Sequence, residues 1–377
     1  MLKIRIKQIK ALLLITVFSF VGIFIKKRAW VIAERGKDAR DNGYYFYRYI
    51  KENHPEIKVY YIIDKESADY EKVKKDAVQY GSLKSYWVVA TAKKLISSHY
   101  AQIVPAVYGK PWRLLRFCGL HKKFYFLQHG VTKDDLAVLY KKNAPMKLFV
   151  CGAKPEYDYV KNTFGHEESV VQYTGLARYD NLHDIKTKRQ ILVMPTWRQY
   201  IGTEEEFLNS SYYKNWMGVL INKRLNDLLV ENNCELVFYP HFEMQKYIEH
   251  FNANSSNIKI AKFKDYDVQT LLKESALLIT DYSSVFFDFA YMKKPLLYFQ
   301  FDAEDFFSKH YQKGYFDYKI DGFGKVCATN EELVLEMQNL LKKNFVMEDC
   351  YTERIEEFFL LRDKNNCLRI YEKIIEE

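Results

Sequence analysis

Four short polar segments of the sequence contain side chains that could carry out proton and phosphate chemistry. They are QHG (128–130), PTWR (195–198), YPH (239–241) and TDYSS (280–284), and each follows an apolar run that is typical of a buried strand. In open parallel α/β sheets, ligands bind beyond the carboxyl ends of the strands. The four segments therefore predict an anion-binding site at the strand ends.

The TDYSS segment joins a predicted strand over 277–280 to a predicted helix over 285–292. Ser283 and Ser284 would then lie at the helix N-terminus, where free backbone N–H groups and the helix dipole favour an anion. The first turn, 285–287, contains no Asp or Glu that would occupy this position. A phosphate group could bind there, and the alternative is that Ser284 only caps the helix.

Two histidines and one arginine in these segments each have two interpretations. His129 ends a strand of the first half of the chain and could accept a proton near neutral pH, or it forms a hydrogen bond within a tight turn. His241 could donate to a phosphate oxygen, or it is an ordinary loop residue. Arg198 offers a planar fork of donors that suits phosphate, or it forms a surface ion pair. The sequence contains no Walker motif, no G-x-G-x-x-G and no His-Cys metal set.

Two successive sets of strands, with helical stretches such as 42–52 between several of them, must position these segments. The first set is predicted at 30–34, 58–64, 93–98, 123–128, 148–152 and 170–175, and the second at 190–197, 234–241, 258–263, 276–284 and 295–301. Buried runs separated by helices indicate parallel β-α units. The polar stretch 177–190 is predicted to be a linker, and the chain after 331 to be helical. The predicted fold class is α/β, with two Rossmann-like halves that face a cleft.

Length, charge and cysteine content limit the class of protein. A chain of 377 residues suits two domains of common size. Residues 1–28 contribute +7 of the net charge of +9, so the rest of the chain is nearly neutral, which argues against a broad nucleic-acid-binding surface. The six cysteines form no C-x-x-C pair and no metal-like cluster with histidine, which is typical of reduced thiols in the cytosol.

The N-terminal segment contains an uncharged apolar run, 11–25, with four basic residues before it and three after it. As a helix this run would span roughly 22 Å, short of the roughly 30 Å hydrocarbon core of a bilayer. It also lacks the small-residue cleavage site of a signal peptide. We predict a peripheral helix in the interface of an anionic membrane, on the cytoplasmic face, and the alternative is a helix buried against the protein.

Several longer pieces of the sequence resemble the CDP-glycerol glycerophosphotransferase family, the primases and polymerases of wall teichoic acid and related capsule enzymes. The pieces are 34–50, 127–135 (LQHGVTKDD), 174–180 (TGLARYD), PTWR, YPH, 277–302 and 313–318 (KGYFDY). The piece 277–302, with LLITDYSSVFFDFA, is the most specific. The sequence departs from the family at Ala177, where many relatives have proline, and at Phe323, where Pro-Gly is usual.

The resemblance implies a GT-B enzyme that moves glycerol phosphate from CDP-glycerol to a hydroxyl of a lipid-linked acceptor and releases CMP, without a metal or another cofactor. It identifies His129 as the base and His241 as a second essential histidine. The implied donor-binding residues are Thr196, Arg198, His241, Asp281, Ser283 and Ser284. The predicted division is a membrane-associating segment 1–28, an acceptor domain 29–180, a CDP-polyol donor domain 181–340 and C-terminal helices 341–377.

Three alternatives remain open at the level of sequence. The donor could be CDP-ribitol, the enzyme could be a GT-B glycosyltransferase that uses a nucleotide sugar, or the chain could be a non-catalytic scaffold on the membrane. The TDYSSVFFDFA stretch favours a polyol-phosphate transferase over a glycosyltransferase. The presence of both His129 and His241 argues against a scaffold.

Overall fold

The computed structural model of the protein describes residues 2–22, 24, 29–100, 102–103, 118–263, 265–309 and 312–376, and the side chains of 2–7 lie outside this description. The chain divides into two compact units. The first unit comprises Met1–Val131, Ala137–Asn181 and Leu361–Glu377, and the second comprises Thr132–Leu136 and Leu182–Leu360. Each unit is built on its own parallel sheet.

The strands of the two sheets are short and mostly buried. In the first unit they are β1 Trp30–Ala33, β2 Val59–Ile63, β3 Ala77–Gln79, β4 Lys94–Ser97, β5 Phe124–Phe126, β6 Leu148–Cys151 and β7 Val171–Tyr173. In the second unit they are β8 Lys188–Met194, β9 Glu235–Phe238, β10 Ile258–Ile260, β11 Ser275–Thr280, β12 Leu296–Phe299 and β13 Gly324–Cys327. Strands such as β1 and β6 are buried at every residue, as expected for parallel strands covered on both faces.

The helices of the described chain pack between and around these strands. The α-helices are α1 Leu2–Gly22, α2 Asn42–Asn53, α3 Tyr70–Val73, α4 Leu83–Thr91, α5 Lys154–Thr163, α6 Glu204–Asn209, α7 Ser211–Leu220, α8 Lys223–Glu231, α9 Val268–Glu274, α10 Val285–Tyr291, α11 Ala303–Lys309, α12 Asn330–Lys342, α13 Asp349–Phe358 and α14 Asn366–Ile375. The 3-10 helices are Lys74–Asp76, Leu120–Lys123, Ala137–Leu139, Ala177–Asn181 and Phe242–His250.

Both sheets reverse their strand order at one point. The first sheet has the order β3-β2-β1-β4-β5-β6-β7, and the second has the order β10-β9-β8-β11-β12-β13. The order therefore reverses between β1 and β4 in the first unit and between β8 and β11 in the second. Ligands of open α/β sheets bind beyond the carboxyl ends of the strands at such points, so each unit has one favoured position for a site.

The predicted fold class is confirmed in its coarse form, since the chain folds into two parallel α/β sheets. A strand overlaps every predicted strand segment, and the structure adds two edge strands that the sequence did not indicate, β3 and β13. These two were missed for a physical reason. Strand β3 has only one fully buried residue, and β13 begins with Gly324 and exposes Lys325, so neither forms a continuous apolar run.

The C-terminal helix α14 belongs to the first unit, although residues 182–360 before it belong to the second. Asp180 receives the backbone N–H of Asn366 on one carboxylate oxygen and that of Cys367 on the other, each at 2.8 Å. An acid at a helix N-terminus satisfies donors that have no partner within the helix. The chain thus returns to the first unit near residue 361, and the predicted domain borders at 180 and 340 stay a prediction.

Helix α1 packs one face against α4 of the same unit and exposes the other. Ala11 and Ile15 are fully buried, and the ring of Phe18 meets that of Trp87 edge to face at 5.2 Å. The exposed apolar residues on and just after the helix are Ile9, Leu13, Val17, Phe20, Val21 and Phe24. No helix of the described chain is both long and apolar enough to cross a membrane. The predicted basic flank 26–28 and the side chains of the first basic residues lie outside the described part.

Candidate active site

His129 occupies an exposed turn directly after β5 in the first unit. Strand β5 ends at Phe126, and the chain then turns at Gln128, which is buried and has φ of 59°. This left-handed conformation is uncommon for a residue other than glycine and is often found at functional sites. The side chain of His129 is exposed, while Gln128 and Gly130 on either side are buried. The turn therefore presents the imidazole at the carboxyl end of the strand.

Three side chains of the first unit hold the backbone of this turn. The amide of Asn42 donates to the carbonyl of Gln128 at 2.7 Å, and the guanidinium of Arg178 donates to the carbonyl of His129 at 2.6 Å. The side chain of Gln128 donates to Glu156 at 2.7 Å. The first two bonds satisfy backbone carbonyls that a segment outside helices and strands would otherwise leave without partners, and the third fixes the side chain of Gln128. The orientation of the turn is thus determined by α2, α5 and the 3-10 helix Ala177–Asn181.

A second histidine lies beside His129. His99 follows β4, and its ring is stacked on the ring of His129 with a centroid distance of 5.0 Å and an interplanar angle of 21°. The Nδ1 atom of His99 is 3.0 Å from the hydroxyl of Ser98. Burial lowers the pKa of His99 well below its usual value, and the nearby His129, Arg35 and Arg178 add to this effect. His99 is therefore neutral at neutral pH.

The acids near this pair lie at the start of α2. Asp41 forms an ion pair of 2.7 Å with Arg178, and its carboxylate also accepts the N–H of Asn42. Behind it, the buried Glu34 accepts the N–H groups of Asp41 at 2.9 Å and Tyr44 at 3.0 Å. Burial, together with the neighbouring Asp41, raises the pKa of Glu34 to about 8. Backbone donors at the N-terminus of α2 thus partner Glu34, whereas a cation partners Asp41.

Asp41, His99 and His129 also form a group whose donor atoms all lie within 4.8 Å of one another. A metal ion bound by two imidazoles requires ring nitrogens whose lone pairs converge on one point. The two rings here are nearly parallel, and the guanidinium of Arg178 already neutralises Asp41. This arrangement favours hydrogen bonding and proton transfer over ion binding. The predicted absence of a metal stays a prediction.

In the second unit, Asp281 joins the loops that follow the two strands at the reversal point. Its Oδ1 atom accepts the N–H of Thr196, after β8, at 2.8 Å and that of Tyr282, after β11, at 2.6 Å. The hydroxyl of Thr280 donates to the carbonyl of Met194 at 2.6 Å and adds a further link. Asp281 is fully buried. Its carboxylate therefore holds the PTWR and TDYSS segments together from within the unit.

Arg198 lies in the same buried layer, with each side of its guanidinium in contact with protein. It donates to both oxygens of Asp302 at 2.8 and 3.0 Å, to the carbonyl of Thr196 at 2.7 Å, and lies 2.9 Å from Asp281. The rings of Tyr282 and Phe306 lie 5.1 Å from its guanidinium carbon. Burial opposes the charge of Arg198, but Asp281 and Asp302 outweigh burial and raise its pKa.

This burial changes the interpretation of Arg198 and Asp281. Both side chains were expected to bind CDP-glycerol, yet neither has any exposed surface. Arg198 is not a surface ion pair either, because its two carboxylate partners are buried with it. The structure places both residues beneath the loops that they hold, and their role in donor binding stays a prediction.

The remaining predicted residues lie closer to the surface of the second unit. Ser283 and Ser284 are half-buried and precede α10, which begins at Val285 as expected. The side chain of Ser284 makes no capping bond, so the capping alternative is not what the structure shows. The hydroxyl of Thr196 is buried and has no hydrogen-bond partner among the described residues. A buried hydroxyl without a partner is costly unless a ligand or water satisfies it.

His241 follows β9 and begins the 3-10 helix Phe242–His250. Its backbone N–H donates to the carbonyl of Pro195 at 3.2 Å, and its Nδ1 atom accepts the N–H of Glu243 at 3.2 Å. Because Nδ1 is an acceptor in this bond, the proton of a neutral His241 lies on Nε2. The ring is stacked on that of Trp197 at 6.1 Å with an interplanar angle of 18°. His241 and the PTWR loop thus lie side by side.

A sequence profile of the family described as CDP-glycerol:poly(glycerophosphate) glycerophosphotransferase matches residues 14–376. The chain belongs to this family. It is 34% identical over 386 residues to the minor teichoic acid biosynthesis protein GgaB of Bacillus subtilis, a match that covers 97% of this chain but 42% of GgaB. It is 24% identical over 400 residues to a teichoic acid poly(glycerol phosphate) polymerase of Bacillus spizizenii, with 95% of each protein covered.

Among solved structures, the chain is similar to the wall teichoic acid polymerase TagF, with a TM-score of 0.71 over 100% of this chain and 98% of that one. The sequences are 17% identical in this comparison, so the likeness concerns the fold. The chain spans less than half the length of GgaB.

Several residues of this glycerophosphotransferase-family site were missed from the sequence: His99, Asn42, Arg178 and Asp302. A weak signal existed for His99 and Asp302, because each follows a predicted strand in the same way as the residues that were singled out. Asn42 and Arg178 gave no such signal. Asn42 reaches the site from the start of α2. Arg178 reaches it from the 3-10 helix Ala177–Asn181, which lies in the predicted linker 177–190.

Proposed function

We propose that this chain transfers glycerol phosphate from CDP-glycerol to a hydroxyl of a lipid-linked acceptor and releases CMP, as a GT-B-type transferase in teichoic acid or capsular polysaccharide biosynthesis. The family membership gives the reaction class. The observation that carries the proposal in this chain is the exposed imidazole of His129 on a turn whose backbone is held by Asn42 and Arg178. This group is placed to accept a proton from an acceptor hydroxyl.

In the proposed step, the acceptor oxygen attacks the phosphorus that carries glycerol, and His129 takes the hydroxyl proton. The bond between this phosphorus and the oxygen that bridges to CMP breaks, and its electron pair leaves with CMP. Phosphoryl transfer depends mainly on positioning and on neutralisation of charge on the phosphate oxygens. General base catalysis contributes typically about 10²–10⁴-fold in rate. His129 supplies the base in this step.

We assign binding of CDP-glycerol to four residues of the second unit that bear a hydroxyl or an imidazole: Thr196, His241, Ser283 and Ser284. The unpartnered hydroxyl of Thr196 and the Nε2 proton of His241 support this assignment. Helix α10 has only seven residues, so its dipole contributes less to phosphate binding than these side chains do. Arg198 and Asp281 act one layer further in, where they fix the loops that bear Thr196 and Ser283.

The test of the proposed function is release of CMP by the purified full-length chain in the presence of a lipid-linked acceptor. We expect turnover with CDP-glycerol and none with the acceptor omitted. Parallel reactions contain CDP-ribitol, UDP-N-acetylglucosamine or CMP-sialic acid. Turnover of a nucleotide sugar with no CMP from either CDP-polyol would refute the proposal, and turnover of CDP-ribitol alone would replace the donor but keep the reaction class.

We also propose that helix α1 binds the cytoplasmic face of an anionic membrane as a peripheral anchor. The exposed apolar stripe, which includes Leu13, Val17 and Phe20, supports this proposal together with the seven uncompensated basic residues of 1–28. Apolar side chains that enter the headgroup boundary combine with electrostatic attraction to anionic lipids in such helices. The opposite face of α1 packs on α4, so membrane binding requires no unfolding of this contact.

The membrane proposal is tested by co-sedimentation with phosphatidylglycerol liposomes. Val17→Asp places a charge on the stripe and should reduce the bound fraction strongly. The matched control is Val230→Asp, because Val230 is 63% exposed on α8, away from the stripe, and Val17 is 56% exposed. Equal binding of Val17→Asp and the wild type, or equal losses in both variants, would contradict an anchor on α1.

A further inference from the structure

We propose that His99 positions His129 as an uncharged aromatic ring, which packs against the imidazole of His129 and stabilises the imidazolium that forms when His129 takes a proton. This inference rests on the proposed function, since it deepens the role of the same site. It assigns His99 a positioning role, without contact with the substrate and without a proton transfer of its own.

The packing geometry is the first support. The rings of His99 and His129 are nearly parallel at 5.0 Å, within the range of about 4.5–7 Å that offset-stacked aromatic pairs prefer. One ring of the pair is exposed and the other is half-buried. An exposed side chain on a turn has several open rotamers, and a flat neighbour on one side restricts them. His99 thus provides a flat ring surface against His129.

The charge distribution around the pair is the second support. The charged groups that face it are Arg35 and Arg178, which are positive, and Asp41, which is negative and already paired with Arg178. A second positive charge on His99 would face these two cations and the imidazolium of His129 together. His99 is therefore held in the neutral form, in which its ring face attracts a cation.

The anchoring of both histidines is the third support. His99 follows β4 directly, and the hydroxyl of Ser97 accepts its backbone N–H at 3.1 Å. Leu127, two residues before His129, donates its N–H to the carbonyl of Ser97 at 2.9 Å. The two turns are thus connected through the neighbouring strands β4 and β5. The pairing of these strands consequently sets the distance between the imidazole of His99 and that of His129.

The test compares two variants of similar volume in the full-length chain, His99→Phe and His99→Leu. Both remove the ring nitrogens and the contact with Ser98, but only His99→Phe keeps a flat aromatic face. We expect His99→Leu to lower kcat about tenfold, with KM for CDP-glycerol within about twofold, and His99→Phe to recover most of this loss. A proton relay through His99 would instead make both variants equally poor and would overturn the proposal.

A second measurement does not depend on turnover. The titration of His129 is followed by NMR through its Cε1–H signal, which is assigned by its absence from His129→Ala. We expect the apparent pKa of His129 to fall by about half a unit in His99→Leu and to return towards the wild-type value in His99→Phe. An unchanged titration in His99→Leu would overturn the proposal even if no acceptor is turned over. Zn²⁺ binding that is lost in both variants would also overturn it, because the three residues would then be ion ligands.

Discussion

The two units present polar groups at corresponding points of their sheets but distribute them in opposite ways. In the first unit the reactive group, His129, is exposed, and the groups that support it are buried or half-buried. In the second unit, the charged residues at the strand ends are buried and paired with one another: Arg198, Asp281 and Asp302. The half-buried groups at its strand ends are the hydroxyls of Ser283 and Ser284 and the imidazole of His241. An ionisable residue at a strand end is therefore accessible in one unit and buried in an ion-pair cluster in the other.

The charge balance of the second cluster explains this difference. One guanidinium faces two carboxylates, so the cluster as a whole has no positive charge to offer a phosphate. Replacement of Arg198 would leave both carboxylates buried without a cation, which is strongly destabilising. The cluster consequently holds the loops through its hydrogen bonds to Thr196 and Tyr282, and in the proposed function uncharged donors around it bind the phosphates.

The largest effect on activity is expected at His129. Replacement of His129 by alanine should lower kcat by about 10²–10⁴-fold, because it removes the proposed general base. The affinity for CDP-glycerol, measured by calorimetry, should stay within about twofold of the wild type. His250→Ala is the control, since His250 is half-buried, pairs with Glu204 and belongs to the second unit. A large loss of donor affinity in His129→Ala would assign His129 to binding instead of to catalysis.

Arg198 tests the other side of the comparison. Arg198→Met fills similar space but leaves two buried carboxylates without a cation, and we expect a loss of about 3–5 kcal/mol in the free energy of unfolding. Urea denaturation measures this loss. Arg189→Met, at an exposed arginine of the same unit, should stay within about 0.5 kcal/mol. Unchanged stability of Arg198→Met combined with lost affinity for CDP-glycerol would return Arg198 to the donor site.

The strands were predictable because parallel strands covered on both faces are continuous apolar runs, as in LFVC of β6 and LLYF of β12. The same reasoning located His129 and Thr196 at strand ends. It could not determine that Arg198 is buried, because its partner Asp302 is 104 residues away in the sequence and reaches it only through the order of strands in the sheet. Spacing along the chain indicates where a side chain emerges, and the pairing across strands decides whether it stays accessible.

The stability of the protein should also depend on pH through Glu34 in the first unit. Burial raises the pKa of Glu34 to about 8, whereas the unfolded value is 4.5. Between these values the folded state keeps a proton that the unfolded state has lost, so the contribution of Glu34 to stability is complete below pH 4.5 and is lost as the pH rises through 8. The slope corresponds to about 1.4 kcal/mol for each pH unit within this window.

The measurement is the free energy of unfolding by urea at pH values from 5 to 8. Glu34→Gln should flatten the decline that the wild type shows in this range. Glu52→Gln, at an exposed glutamate on α2 of the same unit, should keep the wild-type slope. A decline that is equally steep in all three proteins would place the responsible group elsewhere and would show that the N–H donors around Glu34 keep it ionised.

The smallest effect, and the one that separates binding from stability most sharply, is expected at Thr196. Thr196→Val removes a buried hydroxyl that has no partner among the described residues, so the free protein should be unchanged or more stable by up to about 1 kcal/mol. If this hydroxyl binds the donor, the same change should weaken CDP-glycerol binding by about tenfold, since hydrogen bonds to charged groups contribute about 1.5–3 kcal/mol. Thr280→Val is the matched control, because the hydroxyl of Thr280 already donates to Met194 and its loss should destabilise the fold. A variant that gains stability and loses affinity would identify Thr196 as a ligand contact held ready by Asp281, whereas unchanged affinity would leave its hydroxyl without a role in the donor site.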